Sequence, residues 1–566
     1  MQKKIWEYRN KGLKNEEITA FAKQFNIPPA VAVILLNRGI KSEQQIQSYL
    51  KKGLDGVHNP FLMNDMQNAV DRILKSVSEH EKITVYGDYD ADGVTSTAIL
   101  YKFLTSIGAN AEYYIPDRIS ERYGLNIKAI TRLAKNGTKL MITVDCGITS
   151  VGEVEFAKTQ GMSVIITDHH TCKEELPRVE AVLNPKRPDS TYPFDGLAGV
   201  GVTFKLILAL AVQLGMNSKE VFMQYVDLAA IGTIADVVPL TDENRVIADK
   251  GIKAISETKN PGIKALLCVS GAENRPITST SVAFSVTPRI NAAGRLEHAK
   301  TAVELLIEED YDKAFSTATL LDEINRKRQL TEQDILSEAM DQVASFEQEQ
   351  YVYVLNHEDW HHGVIGIVAS RICDKFYRPC ILISSSDGKG KGSGRSIEEM
   401  NLFTALSECE DILTAFGGHS QAAGLSIRAD KIDEFRNAIN AYAKKLLENK
   451  QLLPKIKIDC NLSPSSITLA AAKTIEKLEP FGSGNENPIF SASGMKIISV
   501  SQMGADGKHL RLCVSNGDYT FNCAGFGMGE LCSDLSAGQT VDIAFTMNVN
   551  QFRGEENLQL LLKDIR

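Results

Sequence analysis

Segment 87–93 reads Gly-Asp-Tyr-Asp-Ala-Asp-Gly, so Asp88, Asp90 and Asp92 recur at alternate positions. They follow the apolar run 83–86 (ITVY) and precede 95–104, which has helical character. Alternate residues of an extended chain point the same way. The three carboxylates are therefore expected to converge where a strand hands over to a helix. Such a cluster repels itself, and divalent cations are its natural compensation. The plainer alternative is an acidic turn whose aspartates cap the helix. Two further apolar runs end in similar chemistry: 140–144 (LMITV) leads into Asp145-Cys-Gly147, and 163–167 (SVIIT) into Asp168-His169-His170. A fourth segment, 227–236, begins with Asp227 and ends with Asp236 after the apolar run AIGTIA. Asp236 is the expected fourth-motif ligand. Asp227 is expected to start or cap the segment and stays a competitor.

These residues need elements that carry them to one place. In residues 80–240, short apolar runs alternate with amphipathic stretches, and strands this apolar are buried on both faces. That pattern argues an α/β domain with a parallel sheet. Sites in such sheets form at the carboxyl ends of the strands, which is where each acidic motif falls. A carboxylate-rich set with imidazole suits Mn²⁺ or Mg²⁺ better than structural zinc, and imidazole tilts the choice to Mn²⁺. Two ions roughly 3.5–4 Å apart, sharing a carboxylate, would activate water and clamp a phosphate.

The chain has 566 residues, which at about 100–200 per domain predicts three to five domains. Hydrophobic residues make up 43% and charged residues 23%, which excludes a mostly disordered or collagen-like chain. The 62 basic and 71 acidic residues give a net charge of −9. A polyanionic ligand would therefore need basic residues gathered locally. Ten cysteines without a CxxC pair read as reduced thiols of a cytoplasmic protein. The N-terminal stretch lacks the apolar core of a signal peptide, and no uncharged apolar run reaches the ~18 residues of a membrane span.

Residues 1–55 are expected to form a small helical preface, 56–300 the catalytic α/β domain, and 301–348 a charged connecting helix. Residues 349–447 return to α/β. Residues 454–566 carry five short strands with Gly, Asn and Asp turns, which suggests a β-barrel. Small barrels bind single strands by aromatic stacking in a basic groove. Tyr519, Phe521, Phe526 and Phe552 are candidate platforms, with Lys508, Arg511 and Arg553 near them in sequence. This region nevertheless holds 10 Lys/Arg against 12 Asp/Glu, and most of its aromatics are expected in the core.

The ordered set DYDADG, VDCG, DHH and GTIAD is similar to the DHH phosphoesterase superfamily. Further segments resemble its bacterial RecJ family: 60–66 (PFLMNDM), 288–295 (PRINAAGR), 360–367 (WHHGVIGI), 392–396 (GSGRS), 417–424 (GGHSQAAG) and 480–488 (PFGSGNENP). The resemblance covers nearly the whole chain. It implies a DHH parallel-sheet domain joined by a long helix to a DHHA1 α/β domain, plus a C-terminal OB-like β-barrel. It also implies a 5′-to-3′ exonuclease of single-stranded DNA in recombination and repair, acting with two Mn²⁺ or Mg²⁺ ions. By position, Asp90, Asp92, Asp145, His169 and Asp236 resemble the family's metal ligands, with Asp145 at the bridging place. Asp88 would complete the second metal site, His170 would face the scissile phosphate, and Asp168 would orient the histidines. Arg118, Arg289, Ser393, Arg395 and the Gly417-Gly418-His419 loop are phosphate or DNA candidates. The implied partners are a RecQ-type helicase and single-strand-binding protein, and a monomer is expected. The alternatives are a DHH phosphoesterase of short oligonucleotides or cyclic dinucleotides, and a metal-free binding scaffold.

Overall fold

The computed structural model describes residues 3–118, 121, 124–386, 388–504, 506–552 and 554–566. Its first sheet is five-stranded and wholly parallel, in the spatial order Asn110–Tyr114, Lys82–Gly87, Thr138–Val144, Ser163–Thr167, Ala181–Leu183. Side chains alternate across it. Leu140, Ile142 and Val144 enter the large helical core on one face, while Met141, Val164 and Ile166 pack with Ile130 and Leu133 on the other. Both faces are covered, as parallel sheets require.

The helices Ala91–Ser106, Gly199–Gln213 and Ser218–Ala235 fill the larger core and are buried nearly all round. That burial includes one cation. Lys205 Nζ lies 2.8 Å from Glu243 Oε2, and neither side chain is exposed. Lys205 also donates to the carbonyl of His58, and Tyr192 donates to Glu243 Oε1 at 2.5 Å. The pair pins the Asp242–Ser256 helix to Gly199–Gln213.

The connecting segment differs from the expected 301–348. Lys300–Ile307 is a separate helix packed in the catalytic core, and one continuous helix runs over Tyr311–Ser345. At 1.5 Å per residue it spans roughly 50 Å. Ala314, Ala318, Leu321 and Ile324 pack in the catalytic core, whereas Ile335 and Ala339 pack in that of the second domain. Ion pairs fasten both halves: Asp322 meets Arg289 at 2.7 Å, and buried Glu332 meets Arg371 at 2.6 Å. The second domain has a five-stranded mixed sheet in the order Leu413–Gly418, Ala422–Arg428, Lys389–Arg395, Cys380–Ser386, Tyr353–His357.

In the C-terminal domain, Phe490–Met503, His509–Ser515, Thr520–Gly525, Glu555–Ile565 and Thr540–Phe552 pair in that order. A pairing between the first and last closes the sheet on itself. The expected helical preface forms in Asn15–Gln24, Pro29–Asn37 and Glu43–Lys51, but it opens on an unexpected strand. Ile5–Tyr8 is a strand that pairs in parallel with Lys455–Ile458. The Pro29–Asn37 helix buries Ala30 through Leu35 in the same core as Phe490, Phe545 and Leu560. A run this apolar cannot stand alone in water, and the closed sheet supplies its partner surface.

Removing one member of the buried pair strands the other. Lys205→Met is expected to destabilise the chain by about 3–5 kcal/mol, read as a lower urea midpoint. The double variant Lys205→Met/Glu243→Leu should recover part of that loss.

Candidate active site

Each acidic motif ends a strand of the parallel sheet or a helix beside it. After Lys82–Gly87 the chain does not stay extended, so the three aspartates do not converge by alternation. Asp90 is the N-cap of Ala91–Ser106, accepting the amides of Asp92 (3.0 Å) and Gly93 (3.1 Å), and Asp92 lies in the helix's first turn. The capping alternative is therefore true of Asp90, and the cluster forms as well. Asp92 turns into the core, where its two oxygens accept the amides of Gly199 and Val200, both at 2.7 Å. It thereby satisfies the free N–H groups that open Gly199–Gln213. Asp145 follows its strand in the left-handed region (φ 59°). Its carboxylate comes so close to Gly199 that a Cβ there would fall 2.5 Å from Asp145 Oδ1. Asp236 ends the helix Ser218–Ala235.

Three overlapping donor groups result: Asp88, Asp90 and Asp145; Asp92, His169 and Asp236; and Asp145, His169 and His170, which links the other two; each has its ligand atoms within 4.8 Å of one another. They adjoin. His169 Nε2 is 3.2 Å from Asp145 Oδ1, 3.5 Å from Asp236 Oδ2 and 3.9 Å from Asp92 Oδ2. Burial, then the neighbouring carboxylates, push Asp88, Asp92 and Asp145 well above the usual carboxylate range. Burial and the charge of Asp90 push Asp236 up to about 7. Burial and the adjacent His170 lower His169 to about 3, so its imidazole is neutral. Asp88 Oδ1, Asp145 Oδ1 and His169 Nε2 are buried without a hydrogen bond. Carboxylate oxygens with one neutral imidazole, each short of a partner, fit a hard divalent cation.

Asp168 organises the histidines. Its Oδ1 accepts the amides of His169 (2.7 Å) and His170 (3.0 Å) and sits 2.7 Å from His170 Nδ1, while Oδ2 accepts the amide of Ile148 at 2.9 Å. Burial opposes a charge on His170, but Asp168 overcomes it and raises the imidazole to about 9. Burial likewise works to raise Asp168, and the hydrogen bond to His170 outweighs it, leaving the carboxyl below its ordinary range. One histidine is thus held neutral beside the acids and the next is held protonated.

The basic candidates divide. Arg118 stacks on Tyr89 at 4.9 Å. Ser393 and Arg395 belong to the strand Lys389–Arg395, not to a loop, with Arg395 Nη1 3.3 Å from Ser393 Oγ. Burial and then Arg118 lower the Arg395 guanidinium. Arg289 is turned away into its ion pair with Asp322 and a 2.5 Å bond to the Ser285 carbonyl. The Gly417-Gly418-His419 loop is also corrected. Both glycines end the exposed edge strand Leu413–Gly418, and the His419 amide is taken by the Ala422 carbonyl at 2.8 Å in a tight hairpin. In the C-terminal domain, Phe521 is core, Tyr519 and Phe526 are exposed, and Lys508 pairs with Asp506 at 2.7 Å. Arg553 and the Phe552 side chain fall outside the described residues.

Sequence reasoning passed over Arg295, although it lies in PRINAAGR. It is half-buried, donates to the Gly363 carbonyl at 3.1 Å, and is lowered to about 10 by desolvation and then by Arg118 and Arg328. His361 and His362 are likewise lowered, first by burial and then by Lys327 and Lys391 respectively, with Arg118 adding to both. Their adjacency after Trp360 was the available signal. A cavity of about 690 Å³ touches Ala235, Asn291, Arg295, Arg328 and Arg371, with Phe284 (78% exposed) at its rim.

Comparison with known proteins agrees with this architecture. The DHH family N-terminal domain matches residues 82–233, the DHHA1 domain 348–445 and the RecJ OB domain 458–564. The single-stranded-DNA-specific exonuclease RecJ of Bacillus subtilis is 39% identical over 97% of this chain and 69% of its own length. That of Escherichia coli is 32% identical over 95% and 96%. RecJ of Thermus thermophilus solved with Mn²⁺ superposes with a TM-score of 0.85 at 28% identity, over 100% of this chain and 79% of that one.

Asp227 stands apart from the cluster. It neither starts nor caps its segment, but lies inside the helix Ser218–Ala235, with Oδ1 on the Leu228 amide (2.7 Å) and Oδ2 on the Thr258 hydroxyl (3.4 Å). Nine residues precede Asp236, and the intervening turns of helix carry Asp227 away from the acids. Burial raises it to about 6. A carboxyl raised on folding is neutral in both states at low pH, and it costs stability as pH rises through the unfolded value of 3.8 toward the folded value of about 6, where the loss is complete. Asp227→Asn is therefore expected to leave stability nearly unchanged below about pH 3, to raise it progressively between about pH 4 and 6, and to hold a gain of up to roughly 3 kcal/mol above that. Thermal melts across that range check it, with nuclease activity unaltered.

Proposed function

The chain belongs to the RecJ family, and we propose that it is a metal-dependent exonuclease specific for single-stranded DNA. We assign it 5′-to-3′ polarity, release of mononucleotides, and a role in recombination and repair. The observation that carries this reading is the pair of adjoining donor groups centred on Asp145 and His169. Asp88, Asp90 and Asp145 would hold one cation and Asp92, His169 and Asp236 the other, with Asp145 shared between them. Mn²⁺ suits the imidazole better than Mg²⁺. When bound, two such ions supply Lewis acidity and a water of lowered pKa.

The chain's own groups do the rest. Asp92 and Asp145 are held in place by the amides and the close approach of Gly199. His170, protonated through Asp168, would steady the scissile phosphate or give a proton to the leaving oxygen. Arg118, Arg295, Ser393 and Arg395 form the basic recess proposed for the 5′-terminal phosphate, where a guanidinium binds oxygen pairs in parallel. The cavity rimmed by Phe284 is the proposed path of the strand. An exposed aromatic there offers every base a stacking face.

Single-stranded DNA is the proposed partner, with a RecQ-type helicase and single-strand-binding protein upstream and a monomer as the working unit. Ten cysteines without a disulfide support a cytoplasmic location. Among the described residues, no single helix is long and apolar enough to cross a membrane.

The test is degradation of a 5′-phosphorylated strand labelled at either end, with Mn²⁺, Mg²⁺ or chelator. Immediate mononucleotide release from the 5′ end is expected, lost with chelator, in Asp145→Ala and on a blunt duplex. Turnover confined to dinucleotides or cyclic dinucleotides would reject the reading. Phe284→Ala is expected to raise KM for long strands roughly 5- to 100-fold, with kcat on a dinucleotide unchanged.

A further inference from the structure

We propose that residues 478–485 of the C-terminal domain, locked by Arg245 and Asn485, are a positioning clamp for Asp236. The inference rests on the two-cation reading above and extends it to residues far from the acids.

Asp236 is followed by Val237, a β-branched residue in the left-handed region (φ 60°) and 69% exposed. Such a conformation persists only where the surroundings impose it. So exposed a side chain does little of that packing, so the constraint must come from beyond it. It is found on the next residues. The Leu240 amide donates to the Ser483 carbonyl at 2.7 Å, across the domain boundary. Buried Leu240 lies so close to Gly482 that a Cβ there would meet its Cδ1 at 2.7 Å, and Gly484 closes on Pro239 in the same way at 3.1 Å.

The clamp is itself held. Asn485 is fully buried. Its Nδ2 donates to the carbonyls of Leu478 (3.0 Å) and Pro480 (2.7 Å), and its Oδ1 accepts from Tyr49 at 2.6 Å. Arg245 stands on the helix that follows Leu240. It donates to the carbonyls of Leu478 (2.8 Å), Glu479 (3.1 Å), Pro480 (3.4 Å) and Tyr49 (3.2 Å), with its guanidinium 3.9 Å over the Tyr49 ring. One side chain thus binds the catalytic helix, the N-terminal segment and the loop. Its neighbour Asn244 donates to Pro239 (3.0 Å) and Gly196 (2.6 Å). That second bond reaches the segment whose Gly199 and Val200 amides hold Asp92. Both carboxylates of one donor group are therefore fixed through residues 244–245, and the C-terminal domain helps to assemble the metal site.

The test uses the full chain, first stripped of metal. Arg245→Lys keeps the charge but cannot reach four carbonyls, and Asn485→Ala repeats the test should that variant fail to fold. Three quantities are measured: Mn²⁺ affinity by titration, hydrogen exchange of residues 236–241, and kcat and KM on a single strand. The clamp predicts faster exchange at Leu240 in the metal-free chain and Mn²⁺ affinity about 10- to 100-fold weaker at one of two sites. It also predicts lower kcat, restored by added Mn²⁺, with KM for the strand unchanged. Unchanged exchange and affinity, with only the melting temperature or KM altered, would overturn the proposal and leave the loop as interdomain packing. Absence of Mn²⁺ binding in the wild-type chain would instead overturn the two-cation reading, and the clamp with it.

Discussion

The mutual repulsion of buried carboxylates is the constraint around which this molecule is built. Asp88, Asp92 and Asp145 are almost wholly buried, and Asp90, Asp236 and one neutral imidazole stand among them. Left to itself, such a cluster would protonate or come apart. The fold opposes this with dipoles. The helices Ala91–Ser106 and Gly199–Gln213 both begin at the acids, so two sets of free amides and two positive helix ends face the charge. Asp90 serves the first helix and Asp92 the second. The same carboxylates that repel one another are thus the caps that let two buried helices start.

That arrangement demands rigidity from elements that never touch the acids. The helix Tyr311–Ser345 joins two hydrophobic cores, and its ion pairs at Asp322 and Glu332 make it a strut between them. Buried Glu332 pairs with Arg328 of its own helix through Oε2 and with Arg371 of the second domain through Oε1, so its second oxygen ties that domain to the connector. Arg245 in turn joins three parts of the chain through backbone carbonyls and its stacking on the Tyr49 ring. Because a guanidinium cannot shed its charge, every one of those acceptors must stay in place.

The sequence showed the sheet and its chemistry well, for a physical reason. Runs such as 140–144 are apolar at every position because both faces of a parallel sheet are covered, and the residue after each run has to face the carboxyl edge. The motif 87–93 was legible as chemistry but not as geometry. Alternation suggested one extended row, whereas the chain turned at Ala91 and divided its aspartates between two donor groups. The N-terminal segment misled differently. The pattern of 30–35 announces a buried helix but names no partner, and the partner lay more than 400 residues onward in the closed sheet. Arg289 and Arg295 share one motif and one charge. Only the neighbours separate them: Asp322 holds the first in an ion pair, while the second stands beside Arg118.

A chain of net charge −9 that handles a polyanion must concentrate positive charge where it is used. Arg118, Arg295, Arg328 and Arg395 influence one another strongly enough that burial and mutual repulsion lower the Arg295 guanidinium. This basic recess borders the acid cluster, and the repulsion within each is the mirror of the other. A phosphate at the boundary would relieve the arginines, as cations relieve the aspartates. On the reading proposed above, a phosphodiester held between divalent ions and guanidinium groups would satisfy both halves at once.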